Sequence, residues 1–308
     1  MRLISHTPHK YKDIIDFKRN FMKLFILLFL PLLLMASHIS LQVLGSGGPE
    51  GGERASPSYL IKKDGKAIVL VDFGGGSFLR FGQARAKIED LQVVLITHLH
   101  IDHVVELPAL MKAGYFSDRG CRLNMIGPKG NEYFPGFNEY IQLQFGEKGA
   151  YRYMSDILTS QSESFSLKVH EVKKDRSYDF LNMYIKAVQV NHGVVPAVAY
   201  RIEIDDKVIV FSGDTSANSE ALTKLSQDAD ILVAHHAIPE HGYEGARRLH
   251  MTPSRTATIS QEAKVKMLLL SHRMNRTLGL EKEHQTLMSK IYKGKILWAE
   301  DLIEIKIP

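Results

Sequence analysis

The sequence is poor in cysteine, since Cys121 is the only one among its 308 residues. A single cysteine excludes an internal disulfide framework and the cysteine-rich classes of zinc site. Apolar residues are not scarce: 44% of the chain is hydrophobic, so it can bury one large core or two modest ones.

The apolar run near the start of the chain is too short to span a membrane comfortably. It covers the twelve residues 24–35 and includes Pro31. Lys23 precedes the run, and the small residues Ala36 and Ser37 follow it. A basic start, a short apolar stretch and a small-residue exit are the layout of a secretory signal peptide.

The layout of this run predicts where the chain divides. We predict a leader over residues 1–37, with Met22 as an alternative start, and a hydrolase domain over residues 38–308. The predicted location is exported, either periplasmic or secreted, with no integral membrane domain after the leader is removed. An uncleaved leader that tethers the protein to a membrane is the alternative.

Net charge is also scarce once the leader is set aside. The whole chain has a formal charge of +5 from 39 basic and 34 acidic residues. Residues 1–36 hold six of the basic and two of the acidic residues, which leaves 33 against 32. The remainder lacks the overall basic footprint of a nucleic-acid binder, although Arg247 and Arg248 could form a local patch. We therefore expect a small-molecule substrate and disfavour nucleic acid without excluding it.

A dense histidine motif stands at the centre of the sequence. Residues 98–103 read His-Leu-His-Ile-Asp-His, directly after the β-branched apolar residues 93–96. Residues 104–112 follow with apolar side chains at helical spacing, so the motif is predicted on a loop between a strand and a helix. Ligands of α/β folds bind at such strand ends. Imidazole nitrogens and carboxylate oxygens are zinc ligands, and a catalytic zinc keeps one position open for water.

Further polar residues follow later predicted strands. His192 follows the strand over 183–190, Asp214 follows the hairpin that ends at Phe211, and His272 follows the strand over 265–270. Taken alone, His192 is as consistent with a loop residue as with a ligand. Asp214 alone would favour a turn or helix-cap aspartate.

In this order the motifs resemble the metallo-β-lactamase fold superfamily, whose signature is His-x-His-x-Asp-His, from about residue 41 to the C-terminus. The arrangement is most similar to the ribonuclease Z-like branch, which includes zinc-dependent arylsulfatases. The resemblance implies an α/β fold, an αββα sandwich of two mixed β-sheets with helices on the outer faces. It also implies seven metal ligands: His98, His100 and His192 for one ion, Asp102, His103 and His272 for the other, and Asp214 between them.

The resemblance implies a chemistry as well. Two divalent ions, zinc first and manganese or iron as alternatives, acidify a bridging water, and the hydroxide attacks an ester. Asp102 and His250 are the predicted catalytic residues, with His250 as an imidazolium that protonates the leaving group. The leading function is an exported zinc hydrolase of sulfate, phosphate or related esters. The alternative is a ribonuclease Z-like phosphodiesterase or tRNA 3′-endonuclease.

Two departures from the ribonuclease Z pattern weaken the nuclease alternative. His235 and His236 stand where that pattern has a His-Glu pair, so the acidic partner of the proton donor is missing there. An aromatic-rich helical insertion at about 127–160 takes the place of a basic, glycine-rich arm. Its aromatic residues suit either core packing or a pocket wall.

Three expectations concern the rest of the chain. An aspartate at the place of Asp72 supports the metal loop in the family. The segments 295–298 and 302–307 are predicted as strands that close the second sheet. The sequence is also compatible with a homodimer.

Overall fold

The computed structural model describes residues 37–159, 162, 164–180, 182–217 and 220–308. The predicted leader lies outside these residues except for Ser37. Residues His38–Pro308 form one compact unit. None of the helices in the described ranges is long and apolar enough to cross a membrane.

Fourteen strands in the described part of the chain form two sheets of seven. The strands of the first sheet are β1 (Ile39–Gly45), β2 (Ser58–Lys63), β3 (Lys66–Phe73), β4 (Val93–Leu95), β5 (Leu123–Pro128), β6 (Leu167–Val172) and β14 (Glu304–Lys306). Those of the second are β7 (Arg176–Phe180), β8 (Met183–His192), β9 (Val195–Ile204), β10 (Lys207–Phe211), β11 (Ile231–His235), β12 (Met267–Ser271) and β13 (Lys295–Trp298). Each sheet has an antiparallel half and a parallel half, which confirms two mixed sheets.

The order of the strands follows from short local signals. The first sheet runs β14-β1-β2-β3-β4-β5-β6 and the second runs β13-β12-β11-β10-β9-β8-β7. Asp64 and Gly65, both at positive φ, form the two-residue turn of the β2–β3 hairpin, as their sequence predicts. Every residue of β4, β11 and β12 is buried, which is typical of parallel strands covered on both faces.

Helices cover the outer face of each sheet. In the described residues they are α1 (Ser77–Gln83), α2 (Ile101–Val104), α3 (Leu107–Gly114), α4 (Phe137–Phe145), α5 (Glu220–Leu225), α6 (Glu244–Arg247), α7 (Pro253–Glu262) and α8 (Glu281–Ile291). Ile88–Asp90 and Arg152–Leu158 are short 3₁₀ helices.

The buried apolar residues divide into three layers. One cluster lies between the sheets, a second lies between the first sheet and α1, α3 and α4, and a third lies between the second sheet and α5, α7 and α8. Three apolar layers between four layers of secondary structure confirm the αββα sandwich.

The last strand differs from the expectation that both C-terminal strands close the second sheet. β13 does so, but β14 pairs antiparallel with β1 at the edge of the first sheet. The chain crosses between the sheets through Ala299 to Ile303, where Ile303 O accepts a hydrogen bond from Val43 N. Local sequence patterns do not predict that β14 pairs with β1, because the two strands are at opposite ends of the chain.

Two local predictions also need correction. The helix predicted over 104–112 begins at Leu107 as α3, after the single turn of α2, and the carboxylate of Glu106 at its start accepts hydrogen bonds from the Gly76 and Phe78 amides. Strand β7 was not predicted. β7 lies at the edge of the second sheet, and its charged and exposed residues do not show the alternation of apolar and polar side chains that identifies a strand.

Candidate metal centre

The predicted metal ligands meet at one edge of the sandwich, where several strands end. His98 to His103 follow β4, His192 is the last residue of β8, Asp214 follows β10 and His272 follows β12. These strands of the two packed sheets end at the same edge of the sandwich, so the residues converge although 174 positions separate His98 from His272. All of the ligand residues are buried except His100, which is partly exposed.

The ligand atoms form the two trios implied by the sequence. His98, His100 and His192 offer nitrogens that lie within 4.8 Å of one another, as do the ligand atoms of Asp102, His103 and His272. In the first trio, His100 Nδ1 lies 3.1 Å from His98 Nε2 and 3.4 Å from His192 Nε2. In the second, Asp102 Oδ2 lies 3.3 Å from His272 Nε2 and 3.6 Å from His103 Nε2.

Asp214 lies between the two trios. Its Oδ2 is 3.9 Å from His192 Nε2 and 3.3 Å from His272 Nε2. Gly213, directly before Asp214, has a left-handed backbone with φ of 55°. A Cβ on Gly213 would lie 3.0 Å from Thr97 Cβ, so glycine suits this turn. One carboxylate that reaches both trios is the arrangement expected of a bridging ligand.

Hydrogen bonds behind the site fix the tautomers of three histidines. His103 Nδ1 donates to Asp72 Oδ2 over 2.8 Å, and His192 Nδ1 donates to the Leu249 carbonyl over 2.8 Å. The Thr97 hydroxyl donates to Asp72, so it accepts from His98 Nδ1 at 3.1 Å. With each Nδ1 proton engaged, the neutral form of each ring has its lone pair on Nε2, which faces the site. The supporting position predicted for Asp72 is confirmed.

These donor atoms suit divalent metal ions. The nitrogens of His98, His100 and His192 face one another at distances that bare lone pairs do not tolerate without a cation or a shared proton. His103 Nε2 and His272 Nε2 are buried without a hydrogen-bond partner. Buried polar atoms are nearly always satisfied, so these orphaned nitrogens point to metal coordination. Five imidazoles and two carboxylates match the preferences of zinc. The assignment of the seven ligands remains a prediction.

Burial and nearby carboxylates oppose each other at the histidines of the site, and burial lowers the pKa of His98, His100 and His192. Burial alone would lower the pKa of His103, but Asp72, by charge and by hydrogen bond, raises it to about 9. Burial alone would raise the pKa of Asp214, but His272, His250 and His103 hold it well below its usual range. Asp214 is therefore ionised and available as a ligand.

His250 lies beside the trios just before α7. Its Nδ1 is buried without a hydrogen-bond partner, 3.7 Å from Asp214 Oδ2, and its ring lies 5.3 Å from that of His192. Burial, which outweighs the opposing effect of Asp214, lowers its pKa to about 2. In the free site His250 is thus a neutral imidazole, whereas the sequence-based expectation was an imidazolium.

The sequence did not reveal the roles of His235 and His236. The ring of His235 lies 5.3 Å from that of His250, and its two nitrogens bond the backbones of Gly213 and Met251. His236 faces the other way and bonds His284 on α8. Side chains alternate between the two faces along a strand, and β11 ends at His235. The sequence therefore predicts that His235 and His236 point in opposite directions. It does not predict which of the two faces the metal site.

A glycine-rich loop also borders the site. Residues 45–57 pass beside His272, and a Cβ on Gly48 would lie 3.3 Å from His272 Cε1. Asp301, near the C-terminus, holds this loop by accepting hydrogen bonds from the Ser46 amide at 3.0 Å and the Ala55 amide at 2.8 Å. No local sequence pattern predicts this role of Asp301, because the residues it binds are far away along the chain.

The aromatic insertion contributes both to the core and to a wall of the site, the two roles that its sequence suited. Phe137 and Phe145 are fully buried against the first sheet, whereas the ring of Phe134 lies 6.5 Å from that of His100. Tyr133 is 67% exposed beside it. The start of the insertion therefore forms a wall next to the metal centre, Phe137 and Phe145 belong to the core, and Tyr153 is exposed.

Known proteins resemble this chain along nearly its whole described length. Ribonuclease Z of Mycobacterium bovis is 27% identical, over 87% of this chain and 98% of its own length. The fold matches that of YhfI from Bacillus subtilis, a metallo-β-lactamase fold protein, with a TM-score of 0.70 at 18% identity, over 88% of this chain and 99% of that one. The human short-form tRNase Z matches with a TM-score of 0.66 at 21% identity, over 87% of this chain and 99% of that one.

These relatives and the ligand cluster together make the chain a metal-dependent hydrolase of ester bonds. A more specific match comes from one family model. The model of the anti-Pycsar protein Apyc1 matches residues 39–296, which is most of the chain. This chain therefore belongs to the family of the anti-Pycsar protein Apyc1, within the metallo-β-lactamase fold.

Proposed function

We propose that this protein is a phosphodiesterase that works with two divalent metal ions, with zinc as the first candidate. The observation that carries the proposal is the position of Asp214 between two complete ligand trios. Paired ions suit in-line displacement at phosphorus, because they stabilise both the attacking and the leaving oxygen. Ribonuclease Z and tRNase Z, by their names, cleave RNA, which is a phosphodiester. This favours phosphorus over sulfur among the esters left open by the sequence.

Residues around the site have separate roles in this reaction. When bound, the divalent ions supply a water of lowered pKa and positive charge that offsets the charge of the transition state. Asp72 and Thr97 keep the ring of His103 oriented. Asp214 is ionised and holds the two halves of the site at a fixed separation.

His250 is placed to handle the proton of the leaving group. A phosphodiester anion at the metals would raise the pKa of this imidazole from its low value in the free site. The start of α7, three residues further on, also favours an anion in this region. His250 can then donate a hydrogen bond, and finally a proton, to the departing oxygen.

The surface near the site suits a small ester better than a folded RNA. Arg248 is paired with Glu244, and Arg247 bonds the carbonyl groups of Gly242 and Glu240. Two arginines, one of them in an exposed ion pair with a glutamate, supply much less positive charge than a phosphate backbone needs, because its binding rests on several cations. The insertion folds onto the first sheet as α4 and a 3₁₀ helix and does not form a basic arm.

A hydrolysis panel tests the proposal. The protein loaded with zinc or manganese would be assayed on bis(4-nitrophenyl) phosphate, 4-nitrophenyl sulfate, a lactone and a precursor tRNA. We expect turnover of the small phosphodiester, lost in His250→Ala and kept in the control His170→Gln, whose residue lies on β6 away from the site. Turnover of the sulfate or lactone alone would refute the phosphodiesterase, and cleavage of the tRNA alone would establish the nuclease alternative.

A further inference from the structure

The geometry points to His235 as a positioning residue that fixes His250 relative to Asp214. This inference rests on the proposed phosphodiesterase function and adds a role for a side chain that binds neither metal nor substrate. His235 is the last residue of β11, 4% exposed, and both of its ring nitrogens bond backbone groups of the catalytic loops.

The tautomer of His235 follows from its two partners. The Met251 amide can only donate, and it lies 2.9 Å from His235 Nε2, so Nε2 is the acceptor. The Gly213 carbonyl can only accept, and it lies 2.9 Å from Nδ1, so Nδ1 holds the proton. The neutral ring therefore satisfies both groups at once, and at this burial no bulk water competes for them.

These two bonds join the loops that hold the reactive groups. Gly213 directly precedes Asp214, and Met251 directly follows His250. The ring of His235 also lies against the ring of His250, with centroids 5.3 Å apart and planes at 57°. One imidazole thus sets the separation between the bridging carboxylate and the proton donor, whose atoms lie 3.7 Å apart.

The segment of His250 has other anchors that keep it folded without His235. The His250 amide donates to the Ala246 carbonyl, and the Leu249 carbonyl accepts from His192. The Thr252 side chain caps α7. Loss of His235 should therefore shift His250 without unfolding the loop.

Two isosteric substitutions separate the two bonds. His235→Gln can place an amide oxygen near the position of Nε2 and keep the bond from Met251, whereas His235→Asn can place an amide N–H near Nδ1 and keep only the bond to Gly213. We expect His235→Asn to lower kcat about 100-fold with unchanged KM and metal content, because small misplacement of a catalytic group costs that much. His235→Gln should stay within about 5-fold of the wild type.

The neighbouring His236 provides a matched control. It is buried to a similar degree, but it bonds His284 and not the catalytic loops. His236→Gln should lower the melting temperature and leave kcat unchanged. Equal losses of kcat in His235→Asn and His235→Gln, or loss of metal in either, would overturn the positioning role.

A second measurement does not depend on activity. Hydrogen exchange of the Met251 amide in the metal-loaded protein should accelerate at least about 10-fold in His235→Asn and not in His235→Gln. Equal exchange in both variants would refute the inference. If the wild type hydrolyses no phosphodiester, the proposed function fails, and the exchange rates still decide whether His235 holds this segment.

Discussion

The protein buries histidines in two places, and only one of them is built to hold metal. The metal-centre cluster contains His98, His100, His103, His192 and His272, together with the carboxylates of Asp102 and Asp214. The outer pair is His236 and His284, whose ring nitrogens lie 2.9 Å apart on the other side of β11. Within the described residues, the outer pair belongs to no group of side chains that could hold an ion.

Carboxylates make the difference between these two places. Burial, and next the charge of His284, lower the pKa of His236 to about 3. In the metal-centre cluster burial acts in the same direction on His103, but Asp72 reverses it. In the described part of this protein, the histidines that could hold a metal ion are those that lie among carboxylates.

The largest expected effect comes from removing the carboxylate between the trios. Asp214→Asn should lower kcat on a small phosphodiester by about 1,000-fold, because a neutral amide neither bridges two cations nor offsets their repulsion. Metal content measured by mass spectrometry should fall below that of the wild type. The control is Asp230→Asn, a buried aspartate before β11 that bonds the Val208 amide and Lys266. If both variants lose equal activity per folded molecule, the distinction between the two places is wrong.

A smaller effect is expected from the carboxylate behind the metal loop. Asp72→Asn keeps the shape of the side chain, but its amide cannot accept from both Thr97 and His103 as the carboxylate does. We expect metal affinity to fall by about 10- to 100-fold in a competition titration with a chelator. His284→Gln should leave the affinity unchanged, and a comparable loss there would mean that the outer pair contributes to metal binding.

The smallest effect concerns the outer pair itself. His284→Leu removes the partner of His236 Nε2 and leaves a buried polar atom unsatisfied, which should cost about 1–3 kcal/mol of unfolding free energy. Denaturant unfolding of the metal-free protein would measure this cost. The stabilisation gained on adding zinc should be the same as in the wild type. A reduced gain would couple the two places and contradict the comparison.

The parts of the site that follow a strand directly could be predicted from the sequence. His98, His192, Asp214 and His272 each come at the end of a buried apolar run, and strand ends are where α/β folds hold their ligands. The hairpin at Asp64 also follows from its sequence, because an Asp-Gly dipeptide is a local signal for a two-residue turn.

The parts that depend on distant partners could not be predicted. Glu106, at the start of α3, bonds the amides of Gly76 and Phe78, and β14 joins β1 across most of the chain. The alternation of β11 indicates that His235 and His236 point to opposite faces. Only packing against Met251 and α8 decides which of them faces the metals.

The contact of Asp301 with the glycine-rich loop has a consequence for the order of folding. Its hydrogen bonds to Ser46 and Ala55 close loops of 255 and 246 residues, and β14 follows it immediately to pair with β1. Contacts of such sequence separation form late, because the chain must first lose the entropy of closing them. All seven predicted ligands leave the ribosome before Asp301 does. The glycine-rich loop beside the site should therefore become ordered only after the C-terminal residues of the chain have been synthesised.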